Sequence, residues 1–282
     1  MESRIYQSLT HPQKRIWYTE KTYFGTPFAC LANSVRYRRE TKPETLERAI
    51  RALVANHEGL RLRLVEGTGG AEDMQYASDS VPEKIDQIDF SGNGGAERCE
   101  AWIGENAAAP FKLYDSPLYY FAIIHFGDDG SGFSAAGYYF KLHHLVSDGW
   151  TIALIYSQIL EYCEAIEAGR EAEILTEKPY SDYLGQEKNY LAAPQFEDDE
   201  KYWMAEFEAP LDEAVIHFRR QSADSIKAKR VVMRFPGDVR ESMHKYRQEH
   251  QTTIYKLVTS AFFIYAARVT QSSDIAVTTA VH

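Results

Sequence analysis

The chain has 282 residues, 44% hydrophobic and 13% aromatic, with 31 basic against 41 acidic side chains and a formal charge of −10. That much apolar material supports a real core in one large or two smaller domains and excludes disorder over most of the length. The acidic balance, without a basic stripe, argues against a nucleic-acid partner, and no apolar run reaches the roughly 20 residues that would span a bilayer, which argues against a membrane partner. Cys30, Cys99 and Cys163 lie far apart and read as reduced thiols rather than a disulfide frame or a zinc site. With no apolar h-region in MESRIYQSLTHPQKR, they point to a cytoplasmic protein.

In chain order, KPETLERAIRALVANH (42–57) predicts a helix, with Pro43 in the first turn and Leu46, Ile50, Leu53 and Val54 on one face. LRLRLVE and DMQYAS flank the turn EGTGGAED (66–73) and predict a hairpin. SGNGGAE (91–97) is a loop leading into a helix near 96–108. LYYFAIIHF and FSAAGYYFKLH, joined by GDDGSG (127–132), carry the clearest hairpin signal. WTIALIYSQILEYCEAIEAG (150–169) sets Ile152, Ile155, Tyr156, Ile159, Cys163 and Ile166 on one stripe and stops at Gly169. Hairpins mixed with helices give an α/β class in the α+β sense, a mixed sheet with helices packed on it.

The texture changes from about 170. Helices near 180–192 and 197–208, a strand AKRVVMRFP (228–236) and a helix GDVRESMHKYRQEH follow. The helix TTIYKLVTSAFFIYAARVT, apolar on most sides, is expected to be buried, and a strand, DIAVTTAV, closes the chain. The expected division is 1–175 and 176–282. A strand running straight to His282 makes the second unit look incomplete.

KLHHLVSDGW (141–150) is where chemistry concentrates. Strand alternation puts Tyr138, Phe140, Leu142 and His144 on one face and Tyr139, Lys141 and His143 on the other. The two imidazoles therefore diverge and do not share a metal, and no HExxH pattern exists. Asp-Gly is ordinary turn chemistry, and Ser147 or Asp148 could cap a helix starting near Trp150. Equally, a strand end feeding a glycine turn and a helix N-terminus exposes side chains at a sheet rim. There His144 could take a proton near neutral pH, Asp148 could hold the loop or a cation, and Gly149 would leave room for a substrate. Residue types alone leave both readings open.

HHLVSDGW resembles the HHxxxDG signature of condensation domains in nonribosomal peptide synthetases. LTHPQKRIWYTE (9–20) resembles that family's S-x-A-Q-x-R-x-W motif through Gln13, Arg15 and Trp17. NHEGLRLRL (56–64) resembles R-H-E-x-L-R-T-x-F through His57, Glu58, Leu60 and Arg61, and departs from it at Asn56, Leu62 and Leu64. YSDYLGQ (180–186) resembles Y-x-D-Y through Tyr180, Asp182 and Tyr183.

The resemblance implies two lobes like chloramphenicol acetyltransferase with a tunnel between them, of which this chain would hold the first lobe and the opening part of the second. It implies peptidyl and acyl carrier proteins and adjacent synthetase domains as partners. There would be no cofactor of its own, phosphopantetheine arriving on carrier-protein substrates. An acceptor amine would attack a donor thioester to form an amide, with His144 as base or positioning group. His143 and Asp148 would be structural, Asp148 pairing with Arg61. Leu60, Leu62 and Leu64 alternating to one side of a strand would leave Arg61 and Arg63 on the other, consistent with that pair. A narrower resemblance, through LTHPQKRIWYTEK beside Met1 and GLRLRL, is to starter condensation domains of lipopeptide synthetases, which acylate the first amino acid from an acyl-CoA or a carrier. The chain alone is expected to be weakly active or inactive. The alternatives are a standalone HxxxD acyltransferase and a non-catalytic carrier-docking module.

Overall fold

The structure, a computed structural model, describes residues 4–170, 179–208, 231–272, 274–277 and 279. Contacts divide the chain into two units, Met1–Ala192 and Ala193–His282, so the division falls later than the expected boundary at 175.

Seven strands and five long helices build the described part of the first unit. They run β1 (Gln7–Ser8), α1 (His11–Thr22), β2 (Cys30–Val35), α2 (Pro43–Asn56), β3 (Leu62–Val65), β4 (Met74–Ala77), β5 (Asp86–Asp89), α3 (Gly95–Ala108), β6 (Tyr119–His125), β7 (Ala136–His143), α4 (Gly149–Glu167) and α5 (Tyr180–Leu191). The larger sheet has the order β2-β7-β6-β5, antiparallel except for β5 on β6, and a small antiparallel sheet has the order β1-β4-β3. Both expected hairpins form, β3–β4 and β6–β7.

Three layers follow from strand alternation. On one sheet face, Phe121, Ile123, Tyr138, Phe140 and Leu142 meet Leu46, Ile50, Leu53 and Val54 of α2 and Ile155, Ile159 and Cys163 of α4. On the other, Ile124 and Tyr139 meet Cys99 of α3, with Trp102 against them. A third cluster, Leu9, Leu64, Leu113, Leu118 and Leu145, packs Ile16 and Trp17 of α1 beside the turn that leaves β7. The three cysteines are free thiols. Among the described residues no helix is long and apolar enough to cross a membrane.

The second unit holds α6 (Pro194–Glu206), α7 (Gly237–Glu249) and α8 (Ile254–Thr270), with α7 packed on α8. Two expectations change here. No strand forms at 231–236 or 274–277, the described parts of the two expected strands; 228–230, 278 and 280–281 lie outside the described residues. The apolar helix is not buried: of α8 only Ala266 is, while Val258, Phe262, Phe263, Ile264 and Tyr265 are exposed.

Candidate active site

β7 is hydrogen-bonded on both edges, to β2 and to β6, and it ends at His143. His143 is 1% exposed, on the face shared with Lys141, as alternation requires. Its N–H donates to the Leu118 carbonyl at 2.8 Å, and its ring meets Phe111 edge-on. The Leu145 N–H donates to His143 Nδ1 at 3.1 Å, so the ring proton sits on Nε2, which lies 3.5 Å from Glu20 Oε2. Burial, with the nearby His144 charge adding to it, holds His143 down to about 4, and burial pushes the Glu20 carboxyl up.

His144 is the first residue past the strand. Its N–H donates to the Ala29 carbonyl at 2.8 Å, and the half-buried side chain lines a cleft of about 690 Å³. The turn beneath it is tightly held: the His143 carbonyl accepts from the Val146 N–H at 3.0 Å and from Ser147 Oγ at 2.9 Å.

All four sequence motifs converge on this cleft. Gln13 supports its rim. The Gln13 amide N–H donates to the Leu145 carbonyl at 3.1 Å and to Gln75 Oε1 at 2.8 Å, while Gln75 donates back at 2.8 Å. Gln13 also completes the capping box that starts α1 at Thr10. Arg15 is exposed in the cleft, and Trp17 Nε1 donates to Asp73 at 2.6 Å. Glu58 accepts from the Ser181 N–H at 2.9 Å, which ties the second motif to the fourth. Tyr180 is hydrogen-bonded to Thr10, and burial raises it to about 12.

Asp148 and Arg61 depart from the expected pairing. Asp148 Oδ1 accepts from the Thr151 N–H and Oγ, both at 2.8 Å, and thereby caps α4, whose first residue is the exposed Gly149. Arg61 donates to the carbonyls of Ser78 (3.0 Å), Val54 (3.2 Å) and Ala55. No ion pair or hydrogen bond links Arg61 to Asp148 among the described residues. The cause is local: Glu58–Arg61 closes a 3-10 turn, so β3 begins only at Leu62 and Arg61 is not on a strand face. The arginine that alternation sends inward is Arg63, 6% exposed, over the Tyr119 ring and donating to the Leu62 carbonyl at 2.9 Å.

Two polar residues escaped the sequence reading. Gln158, 5% exposed on the buried stripe of α4, lies 2.6 Å from His57 Nε2 within the cleft wall. Glu20, 5% exposed, lies seven residues after Gln13 on the same face of α1. A polar side chain on an apolar helical stripe is the signal that would have found both. No cluster that could hold a metal ion occurs among the described residues.

A buried imidazole, a second one facing a cleft, and a turn braced from several sides equip this site for proton transfer without large rearrangement. A family model for the condensation domain matches residues 4–282. The chain is 28% identical over 273 residues to a plipastatin synthase component of Bacillus subtilis (strain 168), covering 96% of this chain and 10% of that protein. It is 27% identical over 282 residues to surfactin synthase subunit 1 of the same organism, covering 98% and 8%. Among solved structures it is similar to the first condensation domain of the CDA synthetase, with a TM-score of 0.75 at 20% identity over 96% of this chain and 64% of that one. It is also similar to the starter condensation domain of rhizomide synthetase (TM-score 0.73, 18% identity, 96% and 60% covered). A variant of that domain solved with C8-CoA matches with a TM-score of 0.65 at 19% identity over 76% of this chain and 48% of that one. The chain thus spans a tenth or less of these curated relatives and under two thirds of these solved domains.

Proposed function

Because this chain belongs to the condensation-domain family, we propose that its cleft joins an acceptor amine to a donor acyl thioester as an amide. His144 carries the reading. The amine nitrogen attacks the thioester carbonyl carbon, and the zwitterionic tetrahedral intermediate must lose a proton before it collapses. A neutral imidazole lining the cleft takes that proton as the carbon–sulfur bond breaks and returns it to the leaving thiolate, so atoms and charge balance. Asp148 serves this chemistry indirectly, by fixing the start of α4 and with it the end of the His144 turn. Gly149 leaves the mouth beside that turn free of a side chain.

The donor and acceptor arrive on phosphopantetheine arms of carrier proteins, which enter as substrates. For the donor we favour a fatty acyl group. Ile16, Leu60, Leu62, Val146, Leu154 and Ile155 give the cleft an apolar wall suited to a hydrocarbon chain, and a starter condensation domain of like fold was solved with an eight-carbon acyl-CoA.

The test is amide formation followed by mass spectrometry, with acyl-carrier or acyl-CoA donors of graded chain length and an aminoacyl-carrier acceptor. His144→Ala is expected to slow product formation about 10²–10⁴-fold. Undiminished turnover in that variant would leave only a docking role, and transfer to a free alcohol without any carrier would instead favour a standalone acyltransferase.

A further inference from the structure

Glu20 is the one acid whose burial the site's chemistry has not yet used. Its side chain is 5% exposed, and Oε2 is sealed from solvent without a hydrogen-bond partner. Leaving such an oxygen inside a protein is costly. The polar atom beside it is His143 Nε2, at 3.5 Å. On the far side of that ring, Nδ1 receives the Leu145 N–H, and the His143 carbonyl receives Val146 and Ser147. His143 is therefore a post of the turn that presents His144.

An imidazole accepts at Nδ1 only while its proton is on Nε2, and the group facing Nε2 decides which form is held. We infer that Glu20 is a positioning residue: its carboxyl group keeps His143 in the Nε2–H form, so that Nδ1 braces the Leu145 N–H and the turn holds His144 toward the cleft. The neighbours leave that role to Glu20. Lys141, on the same strand face, spends its ammonium on the carbonyls of Asn106 and Ala109 at 3.0 and 3.1 Å. Cys30, opposite His143 in the β2–β7 register, is a thiol raised by burial and so a weak acceptor.

The rate arm of the test rests on His144 acting in amide formation; the spectroscopic arm does not. In chain labelled with 15N-histidine, long-range proton–nitrogen spectra at neutral pH are expected to show His143 protonated on Nε2. Glu20→Ala should give a mixture of tautomers and shift the His144 ring signals. Glu20→Gln, whose amide oxygen still accepts, should restore the wild-type pattern. In amide formation, Glu20→Ala should lower kcat about 10- to 100-fold with KM nearly constant, and Glu20→Gln should recover most of it. A wild-type His143 protonated on Nδ1, or an alanine variant with unaltered tautomer and rate, overturns the inference. If the alanine variant does not fold, the wild-type and Glu20→Gln spectra decide it alone. Absence of any amide product from wild type would count against the proposed function, while the tautomer measurement would still judge Glu20.

Discussion

Protonating His143 would place a hydrogen on Nδ1, where the Leu145 N–H already points. That collision, added to burial, is why the ring resists charge. Its folded value near 4 lies below the ordinary 6.5, so as pH falls the unfolded chain takes up this proton first. The stability it contributes is complete above about pH 6.5 and is lost as pH falls toward about 4. Glu20, shifted upward, runs the other way: its contribution is present below its ordinary carboxyl value and fades as pH rises through the folded one. An NMR titration should find the His143 ring protons flat from about pH 8 to about pH 5, and a midpoint near 6.5 would show the ring to be open to solvent. The opposite facing of the two histidines was legible from strand alternation. The partner of His143 was not, because Glu20 is over a hundred positions distant and nothing local distinguishes it from a solvated acid.

At the level of elements, α2 shows how far a pattern reaches. Leu46, Ile50, Leu53 and Val54, chosen by spacing, are all 0% exposed against the larger sheet. Leu53→Ala is expected to cost about 2–5 kcal/mol, seen as a lower midpoint in urea unfolding with little change in slope. Asp148→Ala, which removes the α4 cap, should cost about 1 kcal/mol in the same experiment. Should it cost far more, the carboxylate braces more than the helix start. Elements set by local signals were legible: helices by their stripes, hairpins by glycine turns. Alternation misled at Leu60–Leu64, where Leu-Arg repeats read as one strand although the first residues close a 3-10 turn. It misled again at 231–236 and 274–277, since an apolar run becomes a strand only with a neighbour to pair with.

For the molecule as a whole, the two units differ in how they use their apolar residues. The first buries them in three clusters around its sheets. In the second, α8 keeps Phe262, Phe263, Ile264 and Tyr265 between 38% and 56% exposed. Adjacent apolar side chains in water favour association, so the chain is expected to self-associate as concentration rises. Size-exclusion chromatography across a dilution series should show earlier elution at high concentration, and Phe262→Ser with Ile264→Ser should abolish the shift. An elution volume independent of concentration would contradict this. Convergence of the four motifs on one cleft was foreshadowed by their likeness to a family, not by their spacing. The residues that close the circle, Glu58 to Ser181 and Gln13 to Leu145, are joined by contacts spanning more than a hundred positions.

β7 is zipped to a neighbour along each edge, so its reading frame is locked from Ala136 to His143. Inserting a single residue within it would turn every following side chain over. The imidazole now sealed beside Glu20 would swing toward open solvent, and its twin would be driven into the interior. An identical insertion a few positions earlier, in the glycine-rich link at 127–132, would leave both where they are. Tolerance to added length should therefore drop abruptly at Ala136, a boundary that a library of one-residue duplications would locate.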